Sequence, residues 1–282
     1  MVINQVEIQN FTVFQNIKIE FAKGVNVLIG ENGTGKTHLL KILNEEKTGQ
    51  LTFFDYLKDV TFDGNYKKPI FIPAKDMLTH SKGFIAMSEK FSQFPFDKTL
   101  IDIVRISQEW QLKEIPNIAQ NILPKLETMM GGKIVYENEE FYIEREDRKK
   151  IPFSMEAEGF KKIGLIWQLL MTENITKGTV LLWDEPESNI NPKFIPMLVE
   201  IVLELSRNGV QVFLATHSYF IAKYLEIRKK ESDDMLFHSL YKSQNDEVLC
   251  ESNKKFSDLK NNTIMEAFEQ LLDEVYEMNK GE

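Results

Sequence analysis

Residues 30–37 read Gly30, Glu31, Asn32, Gly33, Thr34, Gly35, Lys36 and Thr37, a spacing of glycines, lysine and hydroxyl that suits a polyphosphate. Gly30 and Gly35 free the backbone so that successive N–H groups can curve around an anion. Lys36 brings a positive charge to the β- and γ-phosphates, and Thr37 offers a hydroxyl to Mg²⁺. With Glu31, Asn32, Gly33, Thr34 and His38 they form the candidate set for binding a nucleoside triphosphate. A second cluster, Asp184 and Glu185, comes directly after the apolar residues 179–183. Asp184 is suited to hold Mg²⁺ through water, and Glu185, one residue on, to polarise an attacking water. A third apolar run, residues 209–215, ends in Thr216, His217 and Ser218, which makes His217 a candidate sensor of the γ-phosphate. The candidate catalytic residues are therefore Lys36, Glu185 and His217, and the candidate metal ligands Thr37 and Asp184.

These groups need strands to carry them. Residues 25–29 are an apolar run ahead of the glycine-rich loop, and residues 37–43 have a helical pattern behind it. In an open α/β sheet, ligands gather at the carboxyl ends of the strands, where all three clusters fall. Residues 91–126 read as helices punctuated by Pro95, Pro116 and Pro124, and residues 131–144 as a hairpin around an Asn-containing turn. After His217 the pattern gives a helix over 218–230, strands near 235–241 and 248–250, and a terminal helix over 263–278. Ile264, Phe268, Leu271, Leu272 and Val275 fall on one face of that last helix.

The order of phosphate loop, Asp-Glu strand end and Thr-His-Ser strand end resembles the ATP-binding-cassette superfamily. Ile8, Gln9, Asn10 and Phe11, with Gly30 to Gly33, resemble the start of RecF, Rad50 and SMC heads and of the OLD and AAA15/AAA21-type ATPases. The resemblance implies an α/β P-loop NTPase head with a mixed, mostly parallel central sheet, an N-terminal antiparallel sheet and an inserted helical lobe. A single head over residues 1–282 is expected, with the helical and hairpin lobe at about 76–152 and a helical tail at about 256–282. ATP and Mg²⁺ are the implied ligands, and ATP the implied substrate.

The same resemblance implies a homodimer closed around ATP, in which Gly159 of segment 156–162 reaches the partner's γ-phosphate in trans. Ala157 stands where many relatives carry Ser, which removes one hydroxyl contact. Residues 187–192 resemble the loop that crosses the dimer interface. A polar residue after the strand at 68–75 is implied to help bind Mg²⁺ and water, yet Lys75 and Asp76 stand there and no Gln; Gln93 and Gln108 are the alternatives. Phe14 is either a contact to adenine or a core aromatic.

The 282 residues carry a net charge of −9 and one cysteine, so no intramolecular disulfide forms and a reducing, cytoplasmic setting is expected. No apolar stretch reaches the ~20 residues of a membrane span, and no secretory leader is seen, so direct membrane insertion is not expected. The acidic balance argues against general nucleic-acid binding. Lys67 with Lys68, Arg145 with Arg148 to Lys150, Lys161 with Lys162, and Arg228 to Lys230 leave a local basic stripe open. Asp233 and Asp234 read as a solvated turn, and heptads are not sustained long enough for a coiled-coil arm. Three roles follow: a regulatory ATPase acting on a separate effector subunit, as in bacterial anti-phage systems; a DNA-repair or end-binding head; or the ATPase subunit of a transporter.

Overall fold

The computed structural model describes residues 2–45, 60–65 and 69–280. It opens with an antiparallel hairpin, β1 (Val2–Phe11) and β2 (Phe14–Glu20), in register Ile8 to Ile17 and Val6 to Ile19. Strand β3 (Val25–Gly30) then leads through the glycine-rich loop into helix α1 (Lys36–Glu45). Strand β4 (Val60–Asn65) pairs antiparallel with β1 and completes a three-stranded sheet in the order β2-β1-β4.

The central sheet takes β3 with β5 (Ile70–Ile72), β9 (Val180–Asp184), β10 (Gln211–Ala215), β11 (Met235–Lys242) and β12 (Val248–Asn253). Its six strands run β12-β11-β3-β10-β9-β5, and only β12 is antiparallel to its neighbour. Strands covered on both faces read as unbroken apolar runs, as β3, β9 and β10 do. Alternate residues divide between two cores: Val25, Val27, Leu181 and Val212 face one, Leu28, Leu182 and Phe213 the other. α1 and the N-terminal sheet cover the second face through Leu39, Leu40, Ile8 and Ile19.

Buried polar side chains fix how the two sheets meet. Gln211 accepts from the Ile3 N–H at 2.8 Å and donates to the Ile3 and Ala22 carbonyls at 2.8 Å each. Asn26 closes on Ala22 in the same manner, at 2.8 and 2.9 Å. All the polar capacity involved is satisfied, so burial here costs little and sets register.

The insertion between β5 and helix α5 (Glu158–Met171) holds α2 (Phe84–Lys90), α3 (Lys98–Ser107), α4 (Leu123–Met130) and an antiparallel sheet of β6 (Lys133–Glu137), β7 (Glu140–Glu144) and β8 (Lys150–Pro152). The helical stretch begins earlier than the sequence suggests, at Phe84, and is interrupted over 91–96. Pro124 starts α4 instead of ending a helix, since its missing N–H is no loss in a first turn. The hairpin turns over Asn138 and Glu139, both at positive φ (51° and 63°), and gains β8 as a third strand that the pattern did not show. Asp97 caps α3 by accepting from Thr99 and Leu100 N–H groups, and Lys41 of α1 donates to its other oxygen at 2.9 Å. Gln168 of α5 is fully buried and donates to the Ser107 carbonyl at 2.8 Å. The lobe is therefore tied to both helices that serve the cleft.

Helices α6 (Ile195–Arg207), α7 (Tyr219–Arg228) and α8 (Thr263–Lys280) complete the chain. The expected turn at Asp233 and Asp234 is closed by the Asp233 N–H on the Lys230 carbonyl at 3.0 Å, with Asp234 exposed, and its carboxylates also make longer-range contacts. Arg207 grips Asp233 through two donors, and the Asp234 carboxylate accepts from the Lys23 N–H at 2.8 Å, pinning the entry to β3 and β11.

His238 of β11 lies fully buried, with Nδ1 2.7 Å from Ser252 Oγ and Nε2 3.1 Å from Asn26 Oδ1. Burial holds its pKa down at about 3, against 6.5 for a free imidazole. Between those values the unfolded chain binds the extra proton, so stability is lost as pH falls below 6.5, by about 1.4 kcal/mol per pH unit. Urea unfolding at pH 7.5 and 5.5 should show a larger loss for the natural chain than for His238→Gln, whose amide does not titrate. Equal losses in both would mean that His238 is not the buried neutral imidazole described.

Candidate active site

Parallel registry brings the three clusters together. Ala215 of β10 lies level with Leu28 of β3 and with Asp184 of β9, so the loops leaving all three strands open on one side of the sheet. There a cleft of about 270 Å³ is lined by Asn32, Gly33, Gly35, Lys36, Thr37, His38, Asp184, Glu185, His217 and Val13. Gly30, Glu31 and Thr34 shape the loop without lining the cleft. A Cβ on Gly30 would stand 2.1 Å from the Leu240 carbonyl oxygen, and the Thr34 hydroxyl donates to the Glu31 carbonyl at 2.9 Å.

Lys36 is nearly buried, and its ammonium donates to the Gly30 and Glu31 carbonyls at 2.8 Å each. Burial lowers its pKa to about 8, against the pull of Asp184, Glu185 and Glu31. The Thr37 hydroxyl donates to both Asp184 oxygens, at 3.0 and 3.2 Å. Burial pushes the Asp184 carboxyl above its usual range while the Thr37 hydroxyl opposes the shift. A hydroxyl and a carboxylate in contact, both hard oxygen donors, fit a Mg²⁺ ion that keeps waters and phosphate oxygens as its other ligands.

Glu185 sits at φ +45° in the left-handed region, costly for a residue with a side chain, and its N–H donates to the Ala215 carbonyl at 2.9 Å. Its Oε1 stands 3.9 Å from Nε2 of His217, beyond hydrogen-bond range, which leaves room between them. Burial, followed by Lys36, lowers the His217 pKa below 6.5 and keeps the imidazole neutral near pH 7. His38 follows the same direction, by burial and then Lys41.

Two residues that the sequence did not single out for this site hold the loop after Glu185. Lys162 of α5 donates to the Glu185 carbonyl at 3.0 Å and to the Ser188 hydroxyl. The Glu187 carboxylate accepts from the Thr216 hydroxyl at 2.5 Å and the His217 N–H at 3.2 Å, while its other oxygen is buried without a partner. Burial raises the Glu187 pKa, against the Thr216 hydroxyl and the His217 N–H that favour the carboxylate. Neither was legible from motif spacing, because Lys162 looked like part of a basic pair and Glu187 like a turn residue.

The remaining residues named from the sequence lie away from the cleft, as a residue serving a partner's site would. Phe14 is a core residue beneath the loop: a Cβ on Gly35 would stand 2.6 Å from its ring, and Val13 reaches the cleft in its place. Gln108 donates to the Ser81 carbonyl, Gln93 is exposed between α2 and α3, and neither lines the cleft. Asp76 caps its own turn at Leu78 and Thr79. Gly159 lines a separate cavity of about 240 Å³, and a Cβ on it would stand 2.4 Å from the Asn189 carbonyl oxygen.

Among the described residues, several members of the basic clusters are buried or paired with carboxylates. Lys161 and Lys162 are buried, Lys161 pairs with Glu158, Arg145 with Glu156, Lys149 with Asp147, Lys150 with Glu137 and Arg228 with Glu200. Lys67 and Lys68 lie outside the described residues.

Residues 73–222 match the family described as "AAA domain, putative AbiEii toxin, Type IV TA system", and residues 1–68 match "AAA ATPase domain". The chain belongs to the AAA15/AAA21 group of ABC-type ATPases. This AAA15/AAA21 chain is 25% identical over 216 residues to the energy-coupling factor transporter ATP-binding protein EcfA2 of Mycoplasmopsis synoviae, a match covering 73% of this chain and 66% of that subunit, just under two thirds of its length. It is 44% identical over 41 residues to the DNA replication and repair protein RecF of Pediococcus pentosaceus, 14% of this chain and 11% of RecF. Among solved structures, the SMC head domain of Thermotoga maritima superposes with a TM-score of 0.52 at 14% identity, covering 90% of this chain and all of that domain, which shows the shared fold. Among the described residues of the AAA15/AAA21 chain, no helix is long and apolar enough to cross a membrane.

Removing the Lys162 ammonium should release the loop that carries Glu185. Lys162→Met is expected to lower kcat about tenfold to a hundredfold, as loss of positioning does, with ATP affinity little changed. Steady-state turnover with parallel ATP binding measures it. Unchanged kcat in a folded Lys162→Met protein would show that the contact does not position the loop.

Proposed function

We propose that this chain is an Mg²⁺-dependent ATP-hydrolysing head that closes as a homodimer around ATP and regulates a separate effector protein in the cytoplasm, with anti-phage defence as a fitting setting. The observation that carries the ATPase reading is the convergence of Lys36, Thr37, Asp184, Glu185 and His217 on one cleft. Family membership supports the same chemistry in general terms.

In this reading the Lys36 ammonium exchanges its two loop carbonyls for the β- and γ-phosphate oxygens, guided by the N–H groups of residues 32–37. Thr37 and Asp184 would hold Mg²⁺, which supplies charge neutralisation when bound. Glu185 accepts the proton of a water whose oxygen bonds to the γ-phosphorus, while the bond to the β,γ-bridging oxygen breaks and its electron pair leaves with ADP. Neutral His217 donates from Nε2 to a γ-phosphate oxygen. The protein's share is positioning and charge stabilisation, as phosphoryl transfer requires.

The trans role of Gly159 draws support from the start of α5. Ala157 gives that helix no side-chain cap and is exposed with Glu158 at the positive end of the helix. The description of the matching family, which names a "putative AbiEii toxin, Type IV TA system", supports the effector reading. The match to EcfA2 favours a second reading, the ATPase subunit of a transporter. The short RecF match keeps a DNA-repair or end-binding head, and with it a nucleic-acid partner, as a third.

Glu185→Gln should bind ATP, form a dimer in ATP and Mg²⁺, and turn over at least about a hundredfold more slowly, since a positioned base contributes roughly 10²–10⁴. Lys36→Ala should fail to bind. Sedimentation with parallel phosphate release tests both: wild-type turnover by Glu185→Gln removes the assigned base, and a monomer at saturating ATP removes the dimer. Stimulation of turnover by DNA at low salt would favour the third reading.

A further inference from the structure

Glu187 carries a carboxyl that none of the steps proposed above uses, and the loop it sits in closes without its side chain. The Ser188 N–H donates to the Glu185 carbonyl at 3.1 Å, and the Ile190 N–H to the Glu187 carbonyl at 2.9 Å. One oxygen of the carboxylate is buried with no donor among the described residues. An acceptor buried without a donor costs stability, which points to a role for this side chain other than holding the fold together.

That role lies at the end of β10. The parallel ladder reaches as far as Thr216, whose N–H donates to the Leu28 carbonyl at 3.0 Å. His217 is the first residue past the ladder, and its N–H donates to Glu187 Oε1 at 3.2 Å. The same oxygen accepts from the Thr216 hydroxyl at 2.5 Å, and that hydroxyl accepts in turn from the Ser218 N–H at 2.9 Å. Ser218 then caps α7 by accepting from the Ile221 N–H at 3.3 Å. One carboxylate oxygen thus organises three consecutive residues between a strand and a helix.

The imidazole of His217 depends on this more than a bonded side chain would. Its ring has no hydrogen-bond partner among the described residues, and Glu185 Oε1 stands 3.9 Å from Nε2, beyond bonding range. With nothing bonded to the ring, its place is set by the backbone that carries it. A misplacement of about 1 Å at a reacting centre is enough to slow a reaction on the order of 10²-fold.

We infer that Glu187 is a positioning residue for His217: by accepting from the Thr216 hydroxyl and the His217 N–H with one oxygen, it holds the imidazole where the γ-phosphate would meet it. Glu187 itself touches no reacting atom. The inference rests on the reading proposed above for its effect on rate, and on the hydrogen bonds alone for its effect on the backbone.

Two measurements on the full chain test it. In ATP turnover, Glu187→Ala should lower kcat about tenfold to a hundredfold, with the ATP dissociation constant changed less than about threefold. Combined with His217→Ala, it should turn over within about threefold of His217→Ala alone, because a residue that acts through the imidazole then has nothing left to position. Glu187→Gln should recover most of the loss, since its amide oxygen can accept both bonds. The second measurement is hydrogen exchange at the His217 amide, read by NMR on a chain labelled with ¹⁵N at its four histidines. Exchange should be at least about tenfold faster in Glu187→Ala than in the natural chain or in Glu187→Gln. Should Glu187→Ala not fold, Thr216→Val removes one of the two bonds at nearly constant shape and is read in the same ways, alone and with His217→Ala. Losses that multiply in the double variant would overturn the inference, as would a Glu187→Gln chain as slow as Glu187→Ala, or an unchanged His217 amide. A chain that hydrolyses no ATP yet shows the exchange pattern fails the functional reading alone. One that hydrolyses ATP and keeps its natural kcat in Glu187→Ala fails this inference alone.

Discussion

Parallel pairing of β3, β10 and β9 decides where every charged group of the cleft can stand. With Ala215 level with both Leu28 and Asp184, the residues that follow each strand emerge side by side, and a lysine, two carboxylates and an imidazole share one cleft. Burial pushes Lys36 and Asp184 each toward its neutral form, whereas their mutual attraction favours the charged forms. The loop carbonyls on Lys36 and the hydroxyl on Asp184 are what make this arrangement tolerable. Both partners of that pair are groups a phosphate and a cation can replace, so the stabilising contacts of the cleft are also its binding contacts.

Helix α5 carries the second constraint. It spans from Gly159, packed on Asn189, through Lys162, bonded to the Glu185 carbonyl, to Gln168, which anchors the inserted lobe at Ser107. A buried ammonium is stable only with such partners, since a lone one would shed its proton. One helix thereby joins the lobe, the base-bearing loop and the surface at Ala157.

How much of this was legible in the sequence depended on range. The phosphate loop, Asp184 with Glu185, and His217 each announce themselves within a few residues, because the strand, the turn and the functional group are contiguous in the chain. The mostly parallel central sheet was implied by the resemblance that these motifs carry, whereas its strand order was not, because pairing between strands far apart in the chain leaves no local pattern. Lys161 and Lys162 were misjudged as possible members of a basic stripe because charge runs carry no information about burial; only the packing of α5 against the loop of 185–190 shows them enclosed. Phe14 lay open between two roles for a similar reason: the ring's position under Gly35 depends on how the N-terminal hairpin folds over α1. Asp233 and Asp234 have partners some 26 and 211 residues away, beyond the reach of any local pattern.

The loop of 185–190 is held from both sides, and this has a consequence for how the two halves of a site would communicate. Lys162 grips it at Glu185 and Ser188 from α5, while Glu187 grips the end of β10 at Thr216 and His217. Glu185 meanwhile occupies a left-handed conformation that its own side chain disfavours, so the clamp is what maintains it. Asn189 and Ile190, in the same loop, lie against Gly159 at the start of α5. Gly159 is therefore joined to the loop of Glu185 and to the end of β10 through a few short contacts. In the reading proposed above, a partner copy's nucleotide at Gly159 would bear on the same loop that carries Glu185.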